Sequence, residues 1–448
     1  MKRIYLAVLF IAILAFSSCA QPLETPPPLP TPPPDLTPPS AITGLVAGNA
    51  YDKRVNLWWD KSAAEDFDHY NIYLNKAEMV DVTGMKPVQQ IKEIATCRYQ
   101  ATGLEDRTKY YLAVTAVDKS GNEDIKVASI SATPMPMPRG TKDPDIDVDI
   151  YQSEMVWAGT TLLPDNHNST RPRVIEVNML GEIVWQYVLP DNLKQYTNPG
   201  FDVELLTSNN ILLELPGKGV YEIERSGKVV WSYLDSKVSH DADRLPNGNT
   251  LVVFGNKDQK SDAQVKEVNP KGEIVWAWYA KGHFDRPPYD NIYDDGWTHT
   301  NAVSRLPNGN TLISPRNFNL LVEVDPKGEV VRTYGEGIFV EQHDPEVLPN
   351  GNILLANHDR PHRAVEFDPK TGKIVWQSAG FEQSATPVRD ANRLPNGNTL
   401  ITGSTKIVEI TAEGEIVWQL ALKGITLVGQ DTAGLGFYKA ERIGIAAP

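Results

Sequence analysis

The chain repeats one phrase four times: Leu245-Pro246-Asn247-Gly248-Asn249, then Leu306–Asn310, Leu348–Asn352 and Leu394–Asn398. Asn-Gly supplies the positive φ angles that a tight hairpin turn needs, so each copy reads as the tip of a β-hairpin. A second phrase, Gly-(Glu/Lys)-(Ile/Val)-Val-Trp, starts at Gly181, Gly227, Gly272, Gly328, Gly372 and Gly414, with Arg332 in place of Trp in the fourth copy. The starts are 46, 45, 56, 44 and 42 residues apart. Short strands at a period of roughly 40–50 residues signify a propeller with one blade per copy. Six copies predict six four-stranded blades over about 145–448. The start near Glu154–Leu163 and the end near Phe437–Ile443 should share a blade and close the ring, which removes exposed sheet edges. The Trp of the second phrase is expected to pack between blades.

The turn phrase also sets a register. Five residues before its Leu stand His240, Asn301, His343 and Arg389, and His299 lies two before Asn301. Side chains two apart on a strand share a face, so His299 and Asn301 should point the same way. The second strand of each hairpin returns to the same rim. Six residues past the last Asn stand Arg316 and His358. His240, His299, Asn301, Arg316, His343, His358 and Arg389 are therefore expected at one mouth of the central channel. His69, His167 and His283 fall off this register.

Imidazoles and guanidinium groups with few neighbouring acids suit an anion, which Arg grips through a planar fork of donors. Three His could hold zinc, but two Arg beside a dication would repel it. A sulfuryl or phosphoryl group fits better, and a neutral His can serve as its nucleophile. The expected cofactor and metal content is none. The formal charge of −14, without a Lys/Arg run, argues against nucleic acid as a partner.

The N-terminus reads as a targeting segment. Lys2 and Arg3 precede an apolar run from Ile4 to Phe16, then Ser17-Ser18-Cys19. That run is too short to span a bilayer, which takes about 20 residues, and has the layout of a signal peptide. Small residues before Cys19 resemble a bacterial lipobox. The expectation is a signal peptide over 1–18, lipid attachment at Cys19, and export to the cell envelope, at the outer membrane in a Gram-negative cell. Residues 19–39 are Pro-rich and read as a semi-rigid tether. Cys97 is the second of two cysteines and has no partner if Cys19 carries lipid.

Residues 40–135 read as an all-β module. Val55, Leu57 and Trp59 alternate as a half-buried strand does. Tyr70, Tyr73, Leu104, Tyr110 and Val114 follow, in an order that resembles the fibronectin type III sandwich, with Tyr110 as its tyrosine corner. Trp59 and Tyr110 are expected in its core. The fold class expected for the whole chain is all-β: this sandwich, then a six-bladed propeller.

His299-Thr-Asn301, Ser314-Pro-Arg316, Gln342-His343-Asp344 and Tyr438-Lys-Ala-Glu-Arg442 together resemble the bacterial aryl-sulfate sulfotransferases. The resemblance spans about 145–445 and implies sulfuryl transfer from an aryl sulfate to a phenol through a sulfohistidine. By motif, His343 matches the nucleophile. His299, Asn301 and Arg316 match residues that bind sulfuryl oxygens, and His240 matches a further site His. His358 and Arg389 join them as substrate-binding residues by register. Asp344 should point away from the nucleophile along the strand. The N-terminal module departs from the best-known members, so no oligomeric state carries over. The loop 283–296 reads as a lid or specificity element, as a plain ordered loop, or as a calcium loop. A second resemblance competes: Asp368-Pro-Lys-Thr-Gly-Lys-Ile-Val-Trp376 is similar to quinoprotein propellers, which include non-catalytic envelope scaffolds that are lipoproteins.

Overall fold

A computed structural model describes residues 34–444, except 49, 199, 381–386 and 426–434. Cys19, the signal segment and most of the tether lie outside the described residues. Six antiparallel sheets form the ring. Blade 2 is Asp202–Leu205, Ile211–Leu215, Gly219–Ile223 and Val229–Leu234, in order from the axis outward. Blades 3, 4 and 5 repeat the pattern from Ala242–Arg244, Thr300–Arg305 and His343–Val347, and blade 6 from Val388–Arg393. Blade 1 takes its innermost strand from the far end of the chain: Glu441–Ile443 pairs with Thr160–Asp165, with Ile443 opposite Thr160. The ring is thus closed by hydrogen bonds between the two ends of the propeller. Two linker strands, Thr141–Lys142 and Ile146–Tyr151, add to the outer edges of blades 1 and 6.

The strands are apolar on both faces because each face meets a neighbouring blade. Leu312 packs toward blade 5 with Ile353 and Leu355, while its neighbour Ile313 packs toward blade 3 with Leu251 and Val253. Alternation along one strand therefore feeds two cores. Six buried clusters fill the six blade junctions.

Polar staples reinforce most junctions, and the repeated phrases encode them. The Trp185, Trp231, Trp376 and Trp418 indoles donate to Arg225, Pro270, Ala412 and Met179 carbonyls in the next blade's outer turn, at 2.8–3.0 Å. In blade 3, Trp278 makes this bond, to Gly328, while Trp276 carries the cation. Arg225, Arg244, Arg305, Arg393 and Arg442 lie over Trp185, Trp231, Trp276, Trp376 and Trp418. Each of these Arg also pairs with a Glu of the preceding blade: Glu176, Glu222, Glu267, Glu366 or Glu409. The last Asn of the turn phrase holds that Glu from behind, as Asn249 does Glu267 at 2.6 Å. The junction of blades 4 and 5 differs. Arg332 replaces the Trp, Val347 stands where the other blades carry Arg305 or Arg393, and Glu323 turns to the Tyr334 hydroxyl.

The N-terminal module is two packed sheets, one of Val46–Ala47, Val55–Trp58 and Arg98–Ala101, the other of Gln89–Ile91, Phe67–Asn75, Tyr110–Asp118 and Ile130–Ala132. Trp59 and Tyr110 are buried between them. The Tyr110 hydroxyl accepts a bond from the Glu105 N–H at 3.1 Å, which pins the corner before its strand. The module docks on the propeller through the Tyr51 and Tyr151 phenols and through Asn56, whose amide donates to the Ser153 carbonyl at 2.7 Å.

Candidate active site at one mouth of the ring

The innermost strands of blades 3 to 6 pack side by side around the axis. His240, His299, His343 and Arg389 stand at their leading ends. Three of these strands are irregular there. Asn301 is an extra residue between the pairs Thr300–Pro315 and Ala302–Ser314, and Arg389 is one between Val388–Gly403 and Asp390–Thr402. The ladder also breaks between His343 and Glu346. Such bulges re-aim side chains and break the strict alternation of a strand. His240 and His299 further hold left-handed backbone conformations, at φ +71° and +46°. For non-glycine residues these conformations cost of order 1–3 kcal/mol each and cluster at functional sites.

The irregularity corrects one expectation. His299 and Asn301 do not share a direction. His299 turns to blade 3, its Nε2 lying 3.2 Å from the His240 Nε2, while Asn301 donates to the Gln342 carbonyl of blade 5 at 2.8 Å. The left-handed turn at His299 and the bulge at Asn301 override the period of two.

Hydrogen-bond partners settle the imidazole tautomers. A carbonyl only accepts, so His343 Nδ1, 2.8 Å from the Glu341 carbonyl, carries the proton and leaves its Nε2 lone pair free. His299 Nδ1 donates to the Asp295 carbonyl at 3.2 Å. Its Nε2 is then an acceptor, so His240 donates from Nε2, and the buried His240 Nδ1 is left without a partner. Burial holds the His343 pKa well below the usual imidazole range, and His358 and Arg316 push it the same way. Burial also depresses His240, with His299, Arg316 and Arg389 adding to it, and lowers His299, with Arg316 again contributing. All three rings are neutral at pH 7.

Arg316 pairs with Glu341 at 2.9 Å, and the same carboxylate lies 3.7 Å from His358 Nδ1. These two partners outweigh burial and hold Glu341 down at about 2, His358 contributing most. His358 donates from Nε2 to the Val388 carbonyl of blade 6 at 2.8 Å. Its ring stacks on His343 at 4.3 Å and on His362 at 4.6 Å, giving three imidazoles in a column. Burial, followed by His358 and Arg360, lowers His362 to about 4. Arg389 lies over the Tyr438 ring at 5.0 Å, and Tyr438 borders His240. Arg316 of blade 4 and Arg389 of blade 6 thus border the imidazoles of blades 3 to 5.

The residues following His240, His343 and Arg389 turn inward. Lys439, from the C-terminal segment, places its ammonium 2.8 Å from Asp241, 3.2 Å from Asp344 and 3.4 Å from Asp202. Asp344 therefore faces Lys439 and not the imidazole of His343. Burial opposes the charge on Lys439, but the three carboxylates prevail and hold its pKa raised.

Sequence reasoning did not single out Glu341, His362, Lys439 or Asp258. Glu341 precedes the quoted Gln342-His343 by one residue and could have been read with it. His362 follows His358 by four residues on the loop beyond the strand, where strand counting stops. The loop 283–296 is anchored by an aromatic base: Phe284, Tyr289 and Phe318 pack on one another edge-on or tilted, and the Trp297 indole donates to the Tyr289 carbonyl at 2.8 Å. Among the described residues, the acidic side chains that gather at metal-ligand spacing are Asp35 of the tether and Asp66 and Asp118 of the N-terminal module. A cavity of about 540 Å3 lies where that module meets the propeller, beside Trp58 and Glu413, and contains none of the rim residues.

Comparison with known proteins adds two family matches. The model of outer membrane protein assembly factor BamB matches 261–427. No curated protein matches. Among solved structures, a protein of unknown function from Bacteroides caccae is 22% identical, covering 59% of this chain and 94% of its own, at a TM-score of 0.44. Virginiamycin B lyase from Staphylococcus aureus is 10% identical over 63% of this chain and 90% of its own, at 0.40. BamB from Moraxella catarrhalis is 11% identical over 72% and 85%, at 0.32. The second family match covers the rim from His240 through His299, Asn301 and Arg316 to His343: the arylsulfotransferase (ASST) family model matches residues 162–343.

Proposed function

We propose that the protein transfers a sulfuryl group from an aryl sulfate to a phenol through His343. The observation that carries this reading is the His343 tautomer. With Nδ1–H committed to the Glu341 carbonyl, a neutral ring offers its Nε2 lone pair as the nucleophile. That nitrogen attacks sulfur, the S–O bond to the aryl group breaks, and the phenolate leaves with the electron pair. The acceptor phenol oxygen then attacks sulfur, the Nε2–S bond breaks with its electron pair returning to the ring, and the phenol proton passes to solvent, which regenerates the neutral His343. Arg316 frames the sulfuryl oxygens, whose charge redistributes in the transition state. Phenolate release from a chromogenic aryl sulfate, dependent on added phenol and abolished by His343→Ala with the fold retained, tests the reading. A variant as active as the wild type would end it.

The BamB match favours a second reading, a non-catalytic envelope scaffold. It requires no release in that assay and partner binding insensitive to His343→Ala. In either case we place the chain on the envelope through lipid at Cys19, and Cys19→Ser should then leave the membrane fraction.

A further inference from the structure

We propose that Asp258 is a positioning residue that holds His299 in its working orientation and tautomer; the inference rests on the sulfuryl-transfer reading and extends it. Asp258 lies between blade 3's second and third strands and is buried. Its carboxylate accepts from the backbone N–H of Thr298 at 3.1 and 3.2 Å, from the N–H of His299 at 3.0 Å, from the Thr298 hydroxyl at 2.9 Å and from the Gln264 amide at 3.1 Å. Its own carbonyl accepts from Trp297 N–H at 2.9 Å. Donors converging on one residue hold Trp297, Thr298 and His299 in place, with His299 left-handed. A left-handed histidine needs such over-determination to persist.

Two further contacts complete the cradle. Gly296 adopts φ +139°, and a Cβ there would meet the Asp258 Oδ1 at 2.5 Å, so only glycine lets the loop pass. The Asn317 amide donates to the carbonyls of Asp294 and Gly296 at 2.9 Å, fixing the peptide run that contains Asp295. The Asp295 carbonyl in turn receives the His299 Nδ1 proton, and this directs the bare Nε2 to His240. The loop 283–296 thus acts through its C-terminal end, by presenting one carbonyl. Asp258 is what keeps that carbonyl and the imidazole in line.

The test compares Asp258→Asn and Asp258→Ala in the full chain. Asn keeps one carbonyl acceptor and Ala keeps none, so the loss should be graded. With an aryl sulfate and phenol, kcat should fall about 100-fold in the Ala variant, the scale expected when a remote change misplaces a reacting group by about 1 Å. KM should change less than kcat, and Asn should recover part of the loss. Selective 15N-histidine NMR supplies a readout independent of turnover: His299 is the Nδ1–H form in the wild type and a mixture in the Ala variant. A native His299 tautomer with kcat near wild type overturns the proposal, as does lost kcat with an unchanged tautomer. If the wild type turns over no aryl sulfate, the functional reading fails, and the NMR comparison alone decides the role of Asp258.

Discussion

Lys439→Met removes the ammonium that three carboxylates share, those of Asp202 and Asp241 buried, and leaves a side chain of similar length. Asp241, Asp344 and Asp202 lie within 3.4 Å of Nζ. Burial already raises Asp241, Asp202 and Asp390, with neighbouring acids adding to it. Breaking a buried pair by removing one partner costs about 3–5 kcal/mol, because the remaining charge is uncompensated. For a propeller of roughly 300 residues that is a fall in Tm of about 5–8 °C. The sign of the pH dependence follows from the carboxylates. Without Lys439 the folded pKa values of Asp241 and Asp202 rise further above the unfolded value, so the folded state holds extra protons. Stability then falls as pH rises through that window, by about 1.4 kcal/mol per pH unit for each such group. Thermal unfolding followed by near-UV circular dichroism, for variant and wild type at pH 5 and pH 8, measures the difference. The gap between them should widen by several degrees toward pH 8. A gap that is constant, or that narrows on going to pH 8, refutes the account of Lys439 as the counter-ion of this layer.

Glu204→Gln should stabilise the protein above neutral pH. Burial, with Glu441 and Asp241 adding, pushes Glu204 from 4.5 to about 7. The wild type therefore loses stability between those values as pH rises, by up to about 3 kcal/mol, and the variant should lack that slope in unfolding titrations. Arg332→Trp with Val347→Arg restores a staple at the junction of blades 4 and 5, where Glu323 is already placed. The pair should raise the unfolding free energy by about 1 kcal/mol, the scale of one cation–π contact plus a partly exposed ion pair; a gain equal to the sum of the single variants would show that no staple forms.

The sequence alone determined the repeat. Asn-Gly turns and strands apolar on both faces are local properties, and their period sets the number of sheets. A fixed turn length also places His240, Asn301, His343 and Arg389 at corresponding points of their strands. What the residues do there was decided by tertiary structure, because the rim departs from regular strand geometry. A bulge adds a residue without changing the repeat, so counting in twos cannot report that Asn301 faces Gln342 while His299 faces His240. The tautomers depend on carbonyls of Glu341 and Asp295, and a backbone carbonyl leaves no mark in residue identity. Lys439 reaches Asp202, Asp241 and Asp344 from more than ninety residues away in sequence because the C-terminal strand closes the first blade. Ring closure brings that ammonium under the imidazoles, and only the assembled ring brings the chain's end to its centre.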